Sequence, residues 1–164
     1  GCELEGVGSQ AKILRGAFIL IEEITHEGRT LAMVLRTSYQ NEGITFFTPD
    51  DFSQQLAYMS RPQGYHIQPH VHNPVRREVQ FTKEVLFIKS GTMRVDFYYD
   101  YQNYLESRIL NAGGVILLAF GGHGFEMLED SEIIEVKQGP YVGEADKTRF
   151  EGVSKESKNG GQIT

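Results

Sequence analysis

The chain has 164 residues and a formal net charge of −6, with 18 Gly and one cysteine, Cys2. A chain of that length supplies one hydrophobic core rather than two, its acidic balance argues against a nucleic-acid-binding surface, and its lone cysteine excludes an intramolecular disulfide. No apolar run approaches the roughly 20 residues that cross a bilayer as a helix, so the expectation is a cytoplasmic protein with neither nucleic acid nor membrane among its partners.

Residues 1–10 are small and polar and are expected to form a flexible N-terminus. A single domain is expected over 11–150. Residues 151–164, with Lys155, Lys158 and Gly160-Gly161, read as a solvated tail. Ala17–Thr25 and Leu31–Arg36 are β-rich runs around a turn at His26–Arg29, which predicts an N-terminal hairpin. His26, beside the turn, reads as a solvated loop histidine. Thr48-Pro49-Asp50-Asp51 carries a helix-start pattern and predicts a short helical turn, followed by a strand that ends at Ser60. Gly64–His72 reads as a further strand and Asn73–Lys83 as a polar loop. Strands follow at Glu84–Lys89, Met93–Tyr98, Leu105–Leu110, Val115–Phe120, His123–Leu128 and Ile133–Lys137, with Gly-rich or acidic turns between them. Turns every 8 to 12 residues or so predict an all-β sandwich or barrel.

Two of these segments carry chemistry. In an extended Gly64–His72, side chains alternate, so His70 and His72 share a face with His66 and Gln68. Glu84 shares a face with Leu86 and Ile88, where a carboxylate needs a partner. Two imidazoles and a carboxylate converging on one point make a metal site with open positions. Glu78 is a rival to Glu84. Glu84 is preferred because it lies within a strand pattern, whereas Glu78 sits among Arg76, Arg77 and Gln80 as a loop residue would.

The pattern Gly64, His70-x-His72, Glu84, six residues, Gly91 resembles the first motif of the cupin superfamily. Gly114, Gly122 and His123 resemble its second. The matching region covers about residues 54–138. The spacer from His72 to Glu84 is eleven residues where the family has three or four. Phe120 replaces a proline, His123 comes early, and Met127 occupies the position of an asparagine. The resemblance implies a double-stranded β-helix, or jelly-roll barrel, with the N-terminal hairpin as an extension. It also implies a divalent transition metal (iron, manganese, nickel or zinc) held by His70, His72, Glu84 and His123. His66 becomes the candidate catalytic acid/base, and Gln68, Arg76, Arg77 and Phe125 become candidate contacts to a small-molecule ligand. The implied functions are isomerase- or epimerase-like chemistry on a small polar, carbohydrate-related molecule, iron-dependent dioxygenation, or non-catalytic ligand binding. A homodimer is expected through pairing or exchange of the N-terminal hairpin.

Overall fold

In a computed structural model, the structure describes residues 20–100 and 103–152. The N-terminal stretch 1–10, the start of the predicted hairpin at 17–19 and most of the predicted tail therefore lie outside the described residues. The architecture is almost entirely antiparallel β. Ten strands run in chain order: β1 (Ile21–His26), β2 (Arg29–Leu35), β3 (Gly43–Phe46), β4 (Ala57–Ser60), β5 (Glu84–Ser90), β6 (Thr92–Tyr98), β7 (Tyr104–Asn111), β8 (Val115–Leu118), β9 (Gly122–Met127) and β10 (Glu132–Lys137). A 3-10 turn at Gly143–Asp146 follows them.

The strands form a five-stranded sheet in the order β1-β2-β8-β5-β10, a three-stranded sheet in the order β7-β6-β9, and a separate β3-β4 hairpin. β2 pairs with β8 of the same chain, so the predicted N-terminal hairpin is an integral edge of the large sheet. Alternation places Met93, Val95 and Phe97 of β6 inward, against Leu86 and Ile88 of β5, Ile116 and Leu118 of β8, and Ile24, Ala32 and Val34 of the hairpin. Phe97, Ile24, Leu31, Ile88, Met93 and Leu110 are fully buried, and each contributes about 1.5–3 kcal/mol by leaving water.

Three local expectations are corrected. The largest concerns Gly64–His72, which is not a strand: every residue from Arg61 to Thr82 is exposed and without regular structure. Alternation in the sequence is not sufficient for a strand, because a ladder also requires a neighbouring edge within reach, and here none is engaged. Thr48 does not cap a helix. Its hydroxyl accepts the Leu56 N–H at 3.2 Å and donates to Gln55, and Pro49–Phe52 closes a single turn. His26 is not a free loop side chain, because its ring stacks on Tyr99 with centroids 4.0 Å apart.

The glycines at two of the turns have local reasons. Gly91, at the β5–β6 turn, has φ +82, and a Cβ there would lie 2.4 Å from the Asp130 carbonyl oxygen. Gly121 has φ +81, and a Cβ would lie 2.5 Å from the Tyr98 carbonyl oxygen. The Gly121-Gly122 break thus lets β9 start hard against the end of β6. Beside it, Phe120 serves as a platform for Arg29, whose guanidinium carbon lies 3.2 Å from the ring centroid. Phe81 packs edge-on against the same ring.

Candidate functional site

The chemistry-bearing residues gather where β5, β9 and β10 meet between the two sheets. Glu84 opens β5, and its cross-strand partners are Lys137 of β10 and Leu118 of β8. Cross-strand partners lie on the same face, so Glu84 and Lys137 both point inward, as Leu86 and Ile88 do. On the other sheet, His123, Phe125 and Met127 of β9 are paired with Phe97, Val95 and Met93 of β6. They share the inward face of that sheet.

The result is a buried carboxylate between two nitrogen groups. Glu84 Oε2 lies 3.2 Å from His123 Nε2, and Glu84 Oε1 lies 3.2 Å from Lys137 Nζ. Lys137 also approaches Asp146 at 3.5 Å, and Asp146 accepts a hydrogen bond from the Thr82 hydroxyl at 2.9 Å. The bond to His123 is the main reason that the Glu84 carboxyl is held down at about pKa 2. Burial opposes this, and Lys137 adds to it. Lys137 is in turn raised, first by its bond to Glu84 and then by Asp146. Glu84 is therefore a fixed anion at neutral pH, and His123 is oriented towards it.

The candidate residues divide into two groups. Glu84, His123 and Phe125 share the mouth between the sheets, with the His123 and Phe125 rings 5.2 Å apart. His66, Gln68, His70, His72, Arg76, Arg77 and Glu78 all lie in the exposed 61–82 connection. There His70 and His72 stand edge to face, with ring centroids 5.3 Å apart, and His70 Nδ1 is 2.9 Å from the Gln68 carbonyl oxygen. Among the described residues, no three His, Cys, Asp or Glu side chains are close enough to share an ion. The structure thus brings the four candidate ligands together as two pairs. Glu84 is enclosed and partnered, whereas Glu78 is exposed.

Lys137, Asp146 and Thr82 are members of the site that the sequence reading missed. Lys137 was detectable, because it stands two and four residues from Glu135 and Ile133 on one face of a strand. Asp146 was not, since its contribution depends on how the 3-10 turn folds back. Arg149 forms an exposed ion pair with Glu144.

Of the four expected ligands for a divalent transition ion, Glu84 and His123 stand at this mouth, and Lys137 is bonded to the other Glu84 oxygen. Glu84 is anionic, His123 presents its Nε2 to that carboxylate, and imidazole and carboxylate are the ligand types such ions accept. No family model matches the chain, and no curated protein or solved structure does either.

Proposed function

We propose that the chain is a metal-binding jelly-roll protein of the cupin kind. In this reading Glu84 and His123 hold a divalent transition metal together with His70 and His72, and a small polar, carbohydrate-related molecule is the ligand. The observation that carries the reading is the Glu84–His123 pair: an ionised, enclosed carboxylate facing an imidazole nitrogen at 3.2 Å, at the mouth between two sheets. A buried carboxylate kept anionic at this position is suited to a cation. When bound, the metal would polarise a carbonyl or hydroxyl oxygen of the ligand.

Phe125, 41% exposed next to His123, offers an apolar face to a sugar ring at the same mouth. Lys137, on the sheet facing His123, pairs with Glu84 and neutralises its charge in the absence of metal.

Elemental analysis of the untagged protein tests the reading. One equivalent of transition metal is expected in the wild type and in Glu78→Ala, and less than a tenth of that in Glu84→Ala. Equal metal in both variants, or none in any, would overturn it. Turnover of a sugar-phosphate and nucleotide-sugar panel then separates an enzyme from a binding module.

A further inference from the structure

The sandwich is open along one side. β9 and β10 are outer strands of their sheets, yet they carry residues that face the interior. Phe125 and Met127 share a face with the fully buried Val95 and Met93, but they remain 41% and 47% exposed. Glu135 is directly opposite the buried Leu86 and is exposed as well. Beside these wet inward-facing residues, the outer edge of β9 is a template at which a further strand can add.

The chain also holds a strand's worth of residues with no ladder. The connection 61–82 exposes Tyr65, Ile67, Val71, Val75 and Val79, Val71 almost completely. Its charge complements the open side. It carries Arg61, Arg76 and Arg77 against one acid, Glu78, whereas β9, β10 and the turn between them carry Glu129, Asp130 and Glu135 besides Glu126 and Glu132, which pair with Arg94 and Lys89.

We infer that the 61–82 connection of a second copy closes this side, and that each copy's open edge is filled by the other across a two-fold axis. The inference rests on the metal reading above for the identity of the shared ion, and it deepens that reading. Residues Gly64–His72 add as a strand to β9, antiparallel to it, with His72 opposite His123 and His70 opposite Phe125. Both imidazoles then enter the mouth that already contains Glu84 and His123, and each site takes two ligands from each copy.

A second copy, rather than the chain's own connection, is favoured by the outer faces. With His70 and His72 pointing in, alternation turns Tyr65, Ile67 and Val71 outward. On the large sheet, Phe87, Ile134 and Val136 also point outward and are exposed. Closure within one chain would leave both apolar sets in water, whereas a second copy brings a surface that can cover them. The turn at Pro62–Tyr65, with Gly64 at φ +83, supplies the pivot at which the connection leaves the body.

Two experiments test this. The register sets Val71 opposite Gly124, where a Cβ has nothing within 4 Å. The double variant Val71→Cys/Gly124→Cys, with Cys2→Ser, should therefore oxidise to a covalent dimer on a non-reducing gel. A disulfide within a monomer, or no disulfide in a folded protein, would overturn the exchange. In the second experiment, His70→Ala/His72→Ala chains are co-purified with Glu84→Ala/His123→Ala chains. The mixed dimer should hold one ion and each parent dimer none, with circular dichroism establishing that all are folded. A metal-free mixed dimer alongside a metal-loaded wild type would overturn the shared site. A wild type without metal would overturn the metal reading alone, and the disulfide result would then decide the exchange.

Discussion

Lowering the pH of the metal-free protein from 6 to 3 should remove about 2 kcal/mol of stability through Glu84, rising to about 3 kcal/mol at pH 2. The carboxyl has an unfolded value near 4.5 and a folded value of about 2, because His123 hydrogen-bonds its charged form. A folded value below the unfolded one means that folding favours the deprotonated state. The contribution is therefore complete above about pH 5.5. It declines as the pH falls through 4.5 and is gone below 2. Urea unfolding at pH 6, 4, 3 and 2, compared between wild type and Glu84→Gln, isolates this residue from the other carboxylates. The amide has no proton to take up, so the wild-type curve should fall more steeply than the variant's by about the amounts given. Parallel curves would mean that the Glu84–His123 and Glu84–Lys137 contacts do not hold the charge in solution.

Gly91→Ala should cost about 3 kcal/mol, with no effect on the residues of the mouth themselves. A left-handed φ imposes about 1 kcal/mol or more on any residue with a Cβ. The new methyl would also meet the Asp130 carbonyl oxygen at 2.4 Å and the Ser131 Cα at 2.8 Å. Both are backbone atoms, so relief requires moving the β9–β10 turn, at a further cost of about 1–3 kcal/mol. That turn sets the start of β10, whose register with β5 already shifts between Glu132 and Ile133. A drop in the denaturation midpoint without a change in slope is expected. A variant as stable as the wild type would show that the turn yields freely.

The parts of the fold that the sequence made legible are those where the physics is local. β5, β6 and β7 alternate, β8 is a short continuous apolar run, and Gly or acidic turns separate the strands from β5 to β10, so their positions followed from local pattern. β3 went unrecognised because Gly43-Ile-Thr-Phe46 is only four residues long and half of it is exposed. Gly64–His72 illustrates the opposite failure. Its alternation is genuine, but whether it pairs depends on an edge contributed from far along the chain, which no local pattern encodes. The same distinction runs through the site. Glu84 stood out because an acid on a leucine face must have a partner, and His123 through its place in the second cupin-like motif. The β5–β10 register then put Lys137 of that strand face directly opposite Glu84, and His123 reaches the same carboxylate from the facing sheet.

The connection 61–82 also has a consequence for proteolysis. Its C-terminal end is fixed, because Lys83 is bound by Gln138 and Ser53, and near its start Arg61 stacks on Tyr65 within the connection, with the guanidinium carbon 4.6 Å from the ring centroid. Every residue from Arg61 to Thr82 is exposed, and the Arg76-Arg77 pair offers trypsin two adjacent sites, whereas Arg61 is shielded by the proline that follows it. Trypsin should nick the native protein there first, leaving fragments that begin at Arg77 or Glu78 and stay associated through the sheets. The rate of that nick reports directly how much of the time this stretch is covered.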